Sequence, residues 1–267
     1  MEVPVLAGPA CVRCGDTTDE GAELCRACRL APPPFEKAVA YAFYQDTMRA
    51  AIHALKYDRM HSAARRMGAM LAQAIRNLRD QAPAEMLVVP VPLHRVRYAE
   101  RGFNQARLLA MHALRNLQKT DPEWKLRLAP AALMRLRATE AQAGLTPRQR
   151  RLNVRAAFQV SDAGAVRDRH ILLVDDILTT GATARAAAKA LKNAGAASVW
   201  VATLARARRH AGDGMSDSVV SQVPKCEGPP PHRQRAVRGD PGPGAPGGSL
   251  EGNAGTDREQ SFTERTF

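Results

Sequence analysis

The sequence predicts an α/β protein: a mostly parallel sheet flanked by helices, preceded by a small cysteine-bearing segment and followed by a disordered C-terminal tail. Short apolar runs at 86–92 (MLVVPVP), 170–176 (HILLVDD) and 198–205 (SVWVATLA) are separated by helix-length segments, the alternation expected of crossover-connected strands. Ile171 to Val174 is apolar without any polar alternation, as in a strand buried on both faces. Between these runs apolar residues recur at three- and four-residue steps, the mark of helices packed by one face.

Taken in order, residues 1–30 carry four cysteines, 31–40 contain the proline run of LAPPPFEK and are expected to be a linker, 41–210 hold the α/β pattern, and 211–267 form the tail. The first helical stripe is Met48, Ala51, Ile52 and Leu55, and the second is Met67, Met70, Leu71, Ala74 and Leu78. A third begins at Phe103 and continues through Ala106, Ala110, Ala113, Leu114 and Leu117. Ala187, Ala190, Leu191 and Ala194 supply the packing face of a crossover helix between the last two strands, and Gly195 is placed to end it. Residues 211–267 contain 7 Pro and 10 Gly but only 7 Leu, Ile, Val or Phe. That is too little apolar surface to offset the entropy of ordering the segment.

No apolar run among the 267 residues approaches the length of a membrane span, and the opening MEVPVLAGPACVRC lacks the basic start and apolar core of a secretory signal. The expected location is the cytoplasm. The formal charge is +13, and because residues 211–267 hold 6 Lys and Arg against 8 Asp and Glu, residues 1–210 carry +15. A basic body suits an anionic partner: nucleic acid, a membrane surface or a phosphorylated small molecule.

Cys11, Cys14, Cys25 and Cys28 form two C-x2-C pairs ten residues apart. That spacing lets two knuckles present four thiolates tetrahedrally to one Zn²⁺, with no position left open for catalysis. Two disulfides or free thiols are the alternative, and a cytosolic chain disfavours the disulfides. Between Cys11 and Leu30, Arg13, Arg26 and Arg29 face Asp16, Asp19, Glu20 and Glu23; this is no basic footprint, so a scaffolding or protein-contact role is expected. Cys226 stands alone in the tail.

The strand at 170–176 runs into the segment ILTTGAT. A tight loop at Gly181 followed by a helix from Ala182 aims backbone N–H groups and the positive end of the helix dipole at one spot. Such a spot suits a phosphate, with Thr179, Thr180 and Thr183 adding hydroxyls, and without a following lysine it is not a Walker A loop. Asp175 and Asp176 would repel a bare phosphate. They make sense if the ligand also brings a ribose diol or a cation, and a sugar phosphate meets both demands. Acidic caps at a helix N-terminus are the plainer alternative.

This stretch closely resembles the phosphoribosyl pyrophosphate (PRPP) motif of type I phosphoribosyltransferases. The cysteine ribbon, ALKY at 54–57, VVPVPLH at 88–94, RGFNQA at 101–106, RLRATEAQAGLTPRQRRLNVRAAF at 135–158 and the PRPP motif follow one another in the order seen in the ComF family. The resemblance covers nearly all of residues 11–206. It implies a type I phosphoribosyltransferase-like domain behind a zinc ribbon. Thr179, Thr180, Gly181, Ala182 and Thr183 would hold the 5′-phosphate of PRPP, and Asp175 and Asp176 would contact the ribose hydroxyls. Pro90, Val91 and Pro92 would belong to the pyrophosphate loop, in which Leu93 and His94 stand where relatives often carry an acid or a small residue. Arg101 and Asn104 would serve the same region. Arg137, Thr139 and Gln142 resemble the flexible loop that closes over PRPP in glutamine amidotransferase relatives.

The activity so implied is displacement of pyrophosphate from Mg²⁺-bound PRPP by a nitrogen nucleophile. Arg95, Arg97, Arg101, Arg107, Arg135, Arg137, Arg148, Arg150, Arg151 and Arg155 are available to ring the pyrophosphate or to form a solvated basic face. No histidine among His53, His61, His94, His112 and His170 stands out as a general base. The family also implies an alternative of another class: a non-catalytic accessory factor in DNA uptake and natural competence, binding single-stranded DNA or competence proteins.

Overall fold

In the computed structural model, residues 9–57, 61–136 and 157–208 are described. The expected flexible-loop residues Arg137, Thr139 and Gln142, the arginines from 148 to 155, Cys226 and the tail 211–267 lie outside the described residues. The strands are β1 (Ala38–Phe43), β2 (Glu85–Pro90), β3 (Lys125–Leu128), β4 (Leu133–Arg135), β5 (Phe158–Val160), β6 (His170–Leu178) and β7 (Ser198–Arg206). The helices are α1 (Arg26–Leu30), α2 (Asp46–Tyr57), α3 (His61–Arg76), α4 (Arg95–Arg101), α5 (Gln105–Thr120), α6 (Ala163–Val166) and α7 (Ala182–Asn193). Among the described helices none is long and apolar enough to cross a membrane.

Five strands form the central sheet in the order β1-β7-β6-β2-β3, every neighbouring pair parallel. β4 and β5 make a separate antiparallel pair. The apolar runs that lacked alternation are buried on both faces, as parallel strands covered by crossover helices must be. Leu172 and Val174 of β6, with Trp200 and Ala202 of β7, pack under α2, α3 and α5. Ile171, Leu173, Val199 and Val201 point the other way, toward α7, the β4–β5 pair and the cysteine segment. Helices α3 and α5 meet so closely that a Cβ on Gly68 would collide with Cβ of His112.

Topology positions the site. β2 leads to β3 through α5 on one face of the sheet, and β6 leads to β7 through α7 on the other. β2 and β6 are neighbours, so the loops leaving their carboxyl ends diverge and open a crevice between them, the usual ligand position in such sheets.

Two expectations need correction. Ala38 to Ala40 belong to strand β1 rather than to a linker: Ala38 pairs with Val201 and Ala40 with Thr203, and both alanines are buried. Pairing with β7 supplies backbone partners that an alanine-rich hexamer after a proline run does not advertise. Phe103 does not begin the third stripe either. α5 starts at Gln105 behind the N-cap Asn104, and Phe103, half-buried, lies before that cap.

Candidate functional site

The loop after β6 is built as its sequence implies. Gly181 has φ 75° and is the N-cap of α7, with no side-chain cap bond at that position. Residues with a Cβ seldom adopt this left-handed geometry, whereas glycine adopts it freely. α7 is anchored by buried Ala184, Ala187, Ala188 and Leu191, which aims its first turn into the crevice. Thr179, Gly181, Ala182 and Thr183 line a cleft of about 290 Å³. Thr180 lies on the far side of the loop, against a small pocket shared with Cys14, Cys28, Arg185 and Arg206. Its Oγ1 accepts the Ala182 N–H at 3.3 Å, so it props the loop from behind.

The two acids line one cleft and their carboxyls hydrogen-bond each other. Asp176 is 5% exposed and forms an ion pair with Lys56 of α2, Nζ to Oδ2 2.5 Å. Asp175 accepts the Asp176 N–H on Oδ1 at 2.9 Å. Burial and the charge of Asp176 push Asp175 well above the usual carboxylate range. Burial acts on Asp176 in the same sense, but Lys56, Asp175 and Arg101 outweigh it and hold Asp176 below that range. Lys56 is raised in turn, Asp176 overcoming the effect of burial.

The opposite wall is the segment after β2. Val91 donates its N–H to Val174 O at 2.8 Å, and its own carbonyl accepts from Asn104 Nδ2 at 3.1 Å. Asn104 Oδ1 accepts the Arg107 N–H at 3.2 Å. Asn104 therefore ties this loop to the start of α5, and it does not line the cleft. Val91, Pro92, Leu93 and His94 do, while Pro90 closes the strand beneath them. His94 is engaged as the N-cap of α4, Nδ1 accepting from the Val96 N–H. Of the arginines, Arg97, Arg101 and Arg135 line the cleft; Arg95 and Arg107 are exposed elsewhere. Gln105, 5% exposed, also lines it, and its Oε1 has no hydrogen-bond partner among the described residues. Lys56 and Gln105 were not singled out from sequence. ALKY contains Lys56 and RGFNQA contains Gln105, but a polar residue at a helix end reads as solvated until the fold turns it inward.

The four cysteine sulfurs lie within 4.8 Å of one another, all buried, and Cys14 and Cys25 are 3.7 Å apart. A tetrahedral ion with M–S bonds of about 2.3 Å needs sulfurs roughly 3.8 Å apart, so the thiols can hold a metal ion. Burial raises Cys28 to about 11. It acts likewise on Cys11, but the backbone N–H groups of Cys25, Cys14 and Arg13 outweigh it and bring that thiol to about 7. This knuckle is bound to the sheet by the buried pair Arg206–Asp16, 2.9 Å, and Arg206 Nη2 lies 3.6 Å from Cys14 Sγ.

The family model for the phosphoribosyl transferase domain matches residues 106–237. The chain is 33% identical over 199 residues to the DNA utilization protein YhgH of Escherichia coli strain K12, covering 73% of this chain and 83% of that one. It is 29% identical over 202 residues to competence protein F of Haemophilus influenzae, covering 74% and 85%. With competence protein ComFC of Bacillus subtilis it shares 36% identity over 121 residues, 45% of this chain and 44% of the relative.

Proposed function

The chain belongs to the ComF family of phosphoribosyltransferase-like proteins, and from that premise we propose that the cleft between β2 and β6 binds PRPP, or a closely similar sugar phosphate, with Mg²⁺. One observation carries the proposal. A single cleft of about 290 Å³ brings together a Thr-Gly loop at a helix N-terminus, an acid pair in which Asp176 is buried and Asp175 partly exposed, and Arg97, Arg101 and Arg135. The loop N–H groups and the hydroxyls of Thr179 and Thr183 suit the 5′-phosphate. Asp175 and Asp176 suit the ribose diol, and the arginines suit the pyrophosphate.

On this reading the reaction breaks the bond from the anomeric carbon to pyrophosphate, whose oxygen keeps the electron pair, and forms a carbon–nitrogen bond to the incoming nucleophile. The positively charged carbon in between needs orientation by the acid pair, and the departing pyrophosphate needs the guanidinium groups. Mg²⁺, bound with PRPP, supplies screening of the pyrophosphate charge. Cys11, Cys14, Cys25 and Cys28 would hold a Zn²⁺ ion as four thiolate ligands, and the ion would serve a structural role in closing the ribbon.

A different observation favours a second reading, DNA handling. α4 has no buried residue and sets Val96 and Tyr98, both at least half exposed, among Arg95, Arg97 and Arg101. Bases stack on such an aromatic surface while the arginines meet phosphates. The two readings separate in solution. Calorimetric titration of the full chain with PRPP and Mg²⁺, beside an Asp175→Asn/Asp176→Asn variant, is expected to give binding that the variant loses. No binding by the wild type, with single-stranded DNA binding that falls steeply with salt, would move the assignment to the second reading.

A further inference from the structure

Two carboxylates beside a phosphate-binding loop pose an electrostatic problem for a site that must accept a polyanion. We infer that Lys56 solves it as a positioning residue: its ion pair fixes Asp176 as the one carboxylate of the site and leaves Asp175 as a proton-bearing group, so the acid pair and lysine together present no net charge. The inference rests on the reading of the cleft as a PRPP site and names how that site is kept receptive.

The geometry is asymmetric. Lys56 and Asp176 meet at 2.5 Å with side-chain exposures of 18% and 7%, little enough for the contact to be screened weakly. Asp176 meets Lys56 of α2, and Asp175 lines the same cleft. Asp175 forms no ion pair among the described residues; its Oδ1 accepts the Asp176 N–H, and its carboxyl also hydrogen-bonds that of Asp176. A carboxyl beside a neighbouring carboxylate that is already ion-paired is favoured to keep its proton. Of the remaining charged groups, Arg101 of α4 favours ionised Asp176 and Tyr44, just after β1, faces Lys56, whereas Arg135 of β4 faces Asp175 and opposes its protonation, its own charge being disfavoured by burial and by Arg97. Protonated, Asp175 offers a ribose oxygen both a donor and an acceptor.

The sign of the pH dependence follows. Below the titration of Asp175 the trio is neutral. As pH rises through it, a negative charge appears beside the bound phosphates and PRPP affinity falls. The test uses the full chain with PRPP and Mg²⁺, titrated calorimetrically over a pH series that starts in the ordinary carboxylate range and runs upward from it. Asp176→Asn is expected to lose about tenfold more affinity than Asp175→Asn, the scale of one charge-assisted hydrogen bond. Asp175→Asn should abolish the alkaline fall. Lys56→Met should bind about tenfold more weakly and Lys56→Arg should restore most of the loss. Because Lys56→Met can fail to fold, ¹³C NMR of the aspartate carboxyls in the ligand-free wild type gives an independent readout, with one of the pair titrating well above the other. Equal losses in the two Asn variants, or two carboxyls titrating together in the ordinary range, overturn the inference. A split titration with no PRPP binding by the wild type overturns the PRPP reading alone and leaves the charge division standing.

Discussion

The buried pair between Arg206 and Asp16 ties two parts of the chain that lie 190 residues apart, and Asp16→Asn is the perturbation that measures the tie. Their side chains are 2% and 4% exposed, with 2.9 Å between Nη2 and Oδ2. Replacing Asp16 by Asn keeps the shape and removes one charge, so the guanidinium is left buried without its counter-charge; such a loss costs about 3–5 kcal/mol. For a folded unit of this size each kcal/mol lowers the melting temperature by roughly 2–4 °C, which gives an expected fall of about 6–20 °C. The assay is thermal unfolding followed by circular dichroism on metal-loaded protein, wild type beside Asp16→Asn. An Asp16→Leu/Arg206→Met pair separates charge from packing, because removing both ions also removes the desolvation penalty and should cost much less than the single change. Arg206 also lies 3.6 Å from Cys14 Sγ, where burial pushes the thiol up and the guanidinium opposes that push without overcoming it. The paired variant should therefore lose metal to a chelator faster even where its stability recovers. A fall of under about 2 °C for Asp16→Asn, below one kcal/mol on the same scale, would refute the reasoning.

Gly181→Ala tests the proposed phosphate loop through its backbone. The new Cβ would meet only Leu178 Cδ1 at 3.8 Å, so the cost comes from φ 75°; it is about 1–2 kcal/mol, read as a fall in melting temperature together with weaker PRPP binding, and an unchanged melt would sink it. Purified protein should carry one metal ion per chain by elemental analysis, on Cys11, Cys14, Cys25 and Cys28. Uptake by the stripped protein should release protons and weaken as pH falls, because the ligand is the thiolate and burial pushes Cys28 up to about 11; uptake independent of pH would count against thiolate ligation.

What could be read in the chain and what could not differ in range. β2, β6 and β7, the glycine turn and the cysteine spacing are local patterns, each complete within about a dozen residues, and each was read from the chain close to where it forms. β1 was missed because AVAYAF shows no clear alternation and earns its place by pairing with β7, some 160 residues later. Phe103 was misassigned because three-residue spacing continues across a helix cap without marking it, whereas Asn104 begins the helix, its side chain accepting the Arg107 N–H. Lys56 was legible only as part of ALKY; its partner lies on a strand 120 residues away. The charge state of the acid pair is a property of that long-range contact, so no local motif could carry it.

Long-range contacts also join the cysteine knuckle to the loop after β6. The loop after β6 is buttressed from behind by the cysteine segment: Thr180 and Gly181 share a pocket with Cys14, Cys28, Arg185 and Arg206. Arg185, in the first turn of α7, donates to Ala31 O at 2.7 Å and lies 3.9 Å from Cys28 Sγ. The front of the site is set from the opposite face, where Lys56 of α2 holds Asp176. A loop that must present N–H groups to a ligand cannot also bury them, so its order has to come from contacts on the side away from the ligand. Here those contacts include a metal-competent knuckle and two arginines aimed at its sulfurs. Loss of the ion would reach the phosphate loop through side chains already in contact with it, while the acid pair, held through α2, would keep its own support.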